Sequence, residues 1–339
     1  MISAVTIWRY SLPFKRPITT KHGKLLSRHC LFIQWHYSNE GHSCVEWSEV
    51  CPLPGFSTET IQEAESQLID MFNAGFHHTL NSPALGNPER KLSAQLCPSV
   101  RFGLEMGLRK LFSPIPADNN QLAIAGLMNG DESSAPISEH FSTFKIKLGR
   151  CDIDTDIKQV NNAIKMCESS TRFRLDANQS WTLAQARYFF SKVPHEQIEF
   201  IEEPLRHPFD YSSWLRSIPV GFAFDEQTQQ NTYCVEQVKG LSALVLKPML
   251  IGLNRTIEII NKAEKLNITT VISSSFESSL TLNFLYQLAS AYTPTACPGL
   301  DTFHSHKQDI IEHLALPVQR TSTPLITESN FQKVAHYEC

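Results

Sequence analysis

The sequence has no block of like charge. Its 339 residues carry 30 Lys+Arg against 34 Asp+Glu, a formal net charge of −4. That excludes the basic footprint by which proteins hold nucleic acid or an anionic membrane surface. Paired cysteines are missing too. The nine cysteines are odd in number, scattered, and never spaced CxxC. Such usage fits reduced thiols in a cytoplasm, not a disulfide framework or a zinc site. The start, MISAVTIWRYSLPFKRP, has no basic segment followed by a clean apolar run. No signal peptide is expected there, and a cytoplasmic location is. The longest uncharged stretch, Ser278 to Leu300, is broken by Ser, Thr, Asn, Gln and Pro294. It reads as buried helix and strand, not as a membrane span. GxGxxG, P-loop, HExxH and GxSxG motifs are absent. The nucleotide, zinc-protease and serine-hydrolase readings lose their usual support.

What is present is enough apolar side chain, 42% of the chain, to bury a real core. The length suits two domains, or one barrel with an addition. Ala4–Tyr10 and Cys30–Tyr37 read as strands, and Val45–Ser57 as a strand running into a Pro/Gly loop. Ser57 or Thr58 is the expected N-cap of a helix whose apolar spacing runs through Ile61, Leu68, Ile69 and Phe72. Ser99–Leu111 reads as a second amphipathic helix. Residues 1–112 therefore form an expected α+β capping domain.

From Leu122 the texture becomes alternating strand and helix. Strands are expected at Leu122–Leu127, Thr143–Leu148, Phe173–Asp176, Glu199–Glu202, Gly221–Asp225, Ala243–Lys247 and Thr270–Ser274. An eighth, weaker one is expected near Ala296. Thr182–Val193 and Asn254–Leu266 are among the intervening helices. The fold class is α/β: a (β/α)8-type barrel over 113–303 with the N-terminal α+β cap. Residues 304–339 are a C-terminal segment returning to the cap.

The strand ends share a chemistry. They carry Lys145 and Lys147, Asp176, Glu202 and Glu203, Asp225 and Glu226, Lys247, then Ser273. Successive ends lie 22 to 29 residues apart, the length of one βα unit. In a barrel, such ends meet on one C-terminal face. Three carboxylates held together repel one another, and a hard divalent cation relieves that. Lys145 and Lys147 are two apart on a strand and share a face, which favours the neutral form of one of them. Lys247 lies across the barrel. This is equipment for taking a proton from carbon beside a carboxylate and stabilising the enediolate. Alternation leaves open which acid of Glu202/Glu203 and of Asp225/Glu226 faces inward. His304 and His306 are spaced like metal ligands but fall after the last strand. His77-His78 is expected on the cap surface, and nothing supplies a base for Cys297.

FKIKLG, RLDANQSW, FIEEPL, FDEQ and LVLKP, in that order, resemble the enolase superfamily in its muconate-lactonising-enzyme-like branch. SEVCPLPGFS, PSVRFGLEM, LMNGD, VISSSFESSL and CPGLDT are similar to the o-succinylbenzoate synthase family of gammaproteobacterial type. The resemblance implies a dehydration in menaquinone synthesis, with Mg2+ (Mn2+ the alternative) held by Asp176, Glu202 and Asp225. It implies Lys147 as base and then acid, Lys247 as the opposing cation, and Lys145 keeping Lys147 poised. Arg174 is a candidate contact for a substrate carboxylate, with an ion pair inside the barrel as its other reading. Ser273, Ser274 and Gly299 are candidates for the succinyl end. Thr19–Lys24 and Leu53–Phe56 are expected to close over the mouth, and Asn178 to support the Asp176 loop. Cys51 and Gln227 depart from the family pattern without removing a catalytic group. The implied partner is a small carboxylate substrate, with no nucleic acid, membrane or obligate protein partner. A sister racemase, epimerase or cycloisomerase is the alternative. A non-catalytic barrel is the third reading, and it predicts a lost lysine or carboxylate where none is lost.

Overall fold

The computed structural model describes residues 1–20, 23–81, 92, 95–116, 121–128, 141–310 and 331–339. The first three strands, β1 (Ile2–Thr20), β2 (Gly23–Asn39) and β3 (His42–Val50), are far longer than their apolar cores suggest. They form an antiparallel sheet with the last strand, β11 (Gln332–Glu338), in the order β11-β1-β2-β3. Helices α1 (Ile61–Asn73), α2 (Phe76–Thr79) and α3 (Pro98–Phe112) complete this unit. α1 starts four residues after Ser57. Its N-cap is Thr60, in a capping box with Glu63, because Glu63 lies at the N3 spacing that bonds back to the cap. Gly103 and Gly107 let α3 lie flush on the sheet. A Cβ there would stand 2.4 Å from Val50 Cγ2 and 2.3 Å from Trp35 Nε1. His77 is buried, not on the surface. It stacks on Phe72 at 6.2 Å and lies 5.3 Å from Tyr337.

Seven parallel strands follow: β4 (Gly126–Met128), β5 (Thr143–Lys147), β6 (Arg172–Asp176), β7 (Ile198–Glu202), β8 (Phe222–Phe224), β9 (Leu241–Leu246) and β10 (Thr269–Ile272). Their order in the sheet is their order in the chain. Crossover helices α4 (Ile153–Met166), α5 (Leu183–Phe190), α6 (Pro248–Ile251) and α7 (Leu253–Lys265) lie between them, and α8 (Ser279–Tyr292) follows β10. The expected eighth strand is reduced to a bridge at Pro298–Gly299. The Gly299 amide bonds Ile272 O and the Ser274 amide bonds Gly299 O, while the Ala125 amide bonds Pro298 O. This short segment joins the last strand to the first and closes the barrel.

Inward-facing Phe200, Ala223, Ala243, Val245, Val271 and Ala296 fill the barrel, as period-2 alternation requires. Two buried carboxylates of the cap reach across to the barrel helices. Glu49 accepts from the Ser278 amide and hydroxyl and from Thr281 Oγ1 at the start of α8. Glu105 accepts from the Leu253 and Asn254 amides at the start of α7. Among the described residues no helix is long and apolar enough to cross a membrane.

Candidate active site

The charged strand ends meet at one mouth. Lys147 is in register with Asp176, Asp176 with Glu202, and Glu202 with Ala223, two residues before Asp225. A cavity of about 610 Å³ opens there. Lys145, Lys147, Asp176, Asp225 and Lys247 line it, together with Ser273, Ser274 and Gly299. Leu53 and Phe56 of the cap and Ile18 of β1 close one side. The expected Thr19–Lys24 contact falls partly outside the described residues.

The carboxylates are almost fully buried, at 7%, 2% and 4% exposure for Asp176, Glu202 and Asp225. Lys145 Nζ bridges Asp176 Oδ2 at 2.8 Å and Glu202 Oε2 at 2.5 Å. Lys247 Nζ pairs with Asp225. Asn178 donates to Asp176 Oδ1 at 2.7 Å. Glu202 and Glu203 take different roles. Glu202 faces Lys145 inside the barrel. Glu203 turns outward and accepts from the Asp225 and Gln227 amides at 3.0 and 3.1 Å. It braces the loop that carries Asp225, a role the paired acids in the sequence did not disclose.

Burial and the neighbouring charges oppose one another at each group. Burial pushes Glu202 up to about 7 against the pull of Lys145, with Asp176 and Asp225 adding to the rise. It lowers Lys147 to about 8; Asp176 opposes this, while Lys145, Arg150 and Lys247 add to it. Lys247 is desolvated as well, yet Asp225 holds it above its ordinary value. Lys145 is raised, because Asp176, Glu202 and Asp225 outweigh its burial. The oxygen-only donor set of Asp176, Glu202 and Asp225, three buried carboxylates at neighbouring strand ends, fits a hard divalent cation.

Arg174 is not at the mouth and does not join the substrate set; of its two expected roles it takes the ion pair inside the barrel. It lies in the barrel interior, where Nε donates to Glu199 Oε2 at 2.6 Å and Nη1 to Cys297 O at 2.5 Å. Its guanidinium carbon sits 5.2 Å from the centre of the Phe200 ring. Two residues of strand rise carry a side chain on the same face one layer deeper, so sharing a face with Asp176 did not mean sharing the cavity.

Among the described residues, six non-glycine residues have positive φ; Asn178 (47°) and Phe276 (62°) line the cavity, and Gln179 (57°) and Glu203 (36°) follow the strand ends beside it. Phe276 lies within VISSSFESSL, yet the sequence did not single it out as a site residue. Strained backbone of this kind gathers at functional sites.

The chain matches the family model "Enolase C-terminal domain-like" over residues 131–324 and "MenC, N-terminal domain" over 2–111. It is 34% identical to an o-succinylbenzoate synthase of Aliivibrio fischeri, with 90% of this chain and 91% of that one covered. It is 32% identical to one of Haemophilus influenzae, with 91% of each covered. Among solved structures, an L-Ala-D/L-Glu epimerase from Bacillus subtilis superposes with a TM-score of 0.73 at 21% identity, covering 92% of each chain. An o-succinylbenzoate synthase from Thermosynechococcus elongatus BP-1 gives 0.66 at 18%, covering 89% and 94%. These structures share the capped barrel, the fold of a superfamily with many chemistries. The chain belongs to the enolase superfamily and, within it, to the o-succinylbenzoate synthase family. It is an enzyme of the lyase class.

Proposed function

We propose that the protein dehydrates 2-succinyl-6-hydroxy-2,4-cyclohexadiene-1-carboxylate to o-succinylbenzoate, a step of menaquinone biosynthesis. The observation that carries this reading is the unequal setting of two lysines across one mouth. Lys247 is ion-paired with Asp225, whereas Lys147, half-buried beside the carboxylates, has no ion pair of its own among the described residues. One side thus offers an amine free to take a proton, and the other a fixed ammonium. Lys147 removes the proton from the ring carbon that bears the carboxylate. As an ammonium it returns that proton to the hydroxyl leaving the neighbouring carbon on the same face. The C–H electron pair becomes the new ring double bond, and water departs. Lys247 faces the other side of the ring and stabilises the negative charge through its cation, in part over the π face. Lys145 holds Asp176 and Glu202 in place and keeps positive charge near Lys147.

Asp176, Glu202 and Asp225 would hold Mg2+, with Mn2+ as the alternative. Bound there, the cation supplies positive charge against the substrate carboxylate as it takes on enediolate character. Ser273, Ser274 and Gly299 hold the succinyl arm through hydroxyl and backbone groups. Leu53 and Phe56 exclude water. The cap (1–112) supplies that cover, the barrel (113–303) the chemistry, and residues 304–339 the return to the cap. A racemase or epimerase, the runner-up, needs an amine on one face and an ammonium on the other, which this mouth also offers; the 34% and 32% identity to o-succinylbenzoate synthases favours dehydration.

The test is ultraviolet-monitored turnover of the cyclohexadiene substrate with Mg2+, then with excess chelator. Aromatisation that stops with chelator supports the reading. No turnover with Mg2+ present overturns it, and loss of an α-deuterium from acylated amino acids then becomes the measurement.

A further inference from the structure

Phe276 holds a backbone conformation that a bulky aromatic residue seldom adopts, with φ at 62°. Nothing in its local sequence asks for it, so its neighbours must impose it. Glu277, fully buried, accepts from the Ser275 amide at 2.7 Å and from the Ser275 hydroxyl. That clamp closes a tight turn around Phe276. On the upstream side the Ser274 amide is fixed to Gly299 O at 3.0 Å, and its hydroxyl lies 2.7 Å from Thr302 Oγ1. The turn is pinned on both flanks, which is how strain persists in a folded chain.

The strain buys a direction for the ring. Phe276 lines the cavity and is only half-buried. One edge of the ring meets Phe14 of β1 at 5.9 Å and 83°. Phe14 stacks in turn on His306 at 4.9 Å, joined to it by a β-bridge. The ring is thus backed by the cap and by the segment after the barrel, and one side stays open to the cavity. Ser273 and Ser274, immediately before it, stand at the same wall.

We propose that Phe276 is a specificity-determining residue, an aromatic wall held by the Ser275–Glu277 clamp against which the methylene carbons of the substrate's succinyl arm pack. This rests on the dehydration reading above. It also names what the site rejects. An acylamino acid or dipeptide places a polar amide where the methylenes lie, and an amide pressed on this ring loses its water without gaining a partner.

The experiment uses the full chain with Mg2+ and three variants, F276A, F276G and F276L. It reads kcat and KM for the cyclohexadiene substrate, calorimetric affinity for o-succinylbenzoate, and the thermal midpoint. F276A is expected to raise KM and weaken product binding about tenfold, with kcat changed far less. F276L, which keeps apolar volume if F276A is too unstable to purify, is expected to move both about threefold. F276G should bind as poorly as F276A yet melt about 2 °C higher, since glycine takes this φ without strain. Unchanged KM and product affinity in F276A and F276L overturn the wall. A glycine variant no more stable than the alanine one overturns the strained clamp. A wild-type chain that neither turns over the substrate nor binds o-succinylbenzoate overturns the dehydration reading itself, and the wall with it.

Discussion

Two sets of buried carboxylates, one at the seam between cap and barrel and one at the mouth, are satisfied by different means. At the seam between cap and barrel, Glu49 and Glu105 accept from backbone amides and hydroxyls at the starts of α8 and α7. Glu59 does the same for the Ser99 amide in α3. Those donors are fixed and cannot leave. At the mouth, Asp176, Glu202 and Asp225 are balanced chiefly by the ammonium groups of Lys145 and Lys247. Those side chains move, titrate and can be joined by a cation or a substrate. Burial alone therefore does not mark a functional acid. What marks it is the kind of partner: helix N-termini make a buried acid structural, and mobile cations leave it available.

The sharpest break of this contrast is at Lys147. Lys147→Ala should lower kcat by about 10⁴-fold, the scale of a lost general base, with the thermal midpoint and metal titration little changed. Turnover like the wild type refutes Lys147 as the base. Next is Asp176→Asn, which should weaken divalent-cation binding on the order of 10²- to 10³-fold. The cation-free protein should lose about 1 kcal/mol, because Lys145 loses one carboxylate partner but keeps Glu202. An unchanged metal titration removes Asp176 from the ligand set. Glu49→Ala should show the reverse signature: a loss of about 3 kcal/mol in denaturant unfolding, from orphaned buried donors, with cation affinity of the folded protein intact. A weaker cation affinity in that variant would erase the distinction between the two groups.

The mouth was legible in the sequence and the seam was not, for a geometric reason. A barrel returns to the same face once per βα unit, so charged strand ends at one pitch become neighbours without further information. Lys147, Asp176, Glu202, Asp225 and Lys247 follow that rule. The seam joins Glu49 to Ser278 and Glu105 to Leu253, separations of 229 and 148 residues. No period links those positions, and a lone Glu in PSVRFGLEM looks like any helix-surface acid. Depth along a strand was also invisible, so the sequence left Arg174 open between the mouth and an ion pair one layer below, where it lies. Strand length failed in the cap for a related cause. β1 and β2 extend well past their apolar centres through backbone pairing, with partners from Ile2–Tyr37 to Thr20–Gly23, and backbone pairing leaves little trace in side-chain pattern.

The subtlest test of the contrast is pH. Burial raises Glu105 to about 7, outweighing the amide donors of Asn254 and Leu253 and the charge of Arg101. In the unfolded chain a glutamate titrates near 4.3. Between those values the folded state keeps a proton that the unfolded state has released. Stability contributed by this group is therefore greatest below about pH 4.3 and falls as pH rises toward about 7. Glutamine cannot titrate, so Glu105→Gln lacks that slope. Measured by denaturant unfolding, the variant should gain about 2 kcal/mol on the wild type between pH 5 and 6.5, from roughly one proton across that window. A stability difference that stays flat with pH means Glu105 is ionised in the folded protein. In that case the helix N-terminus, not desolvation, governs the seam, and the two groups of carboxylates differ even more than their partners suggest.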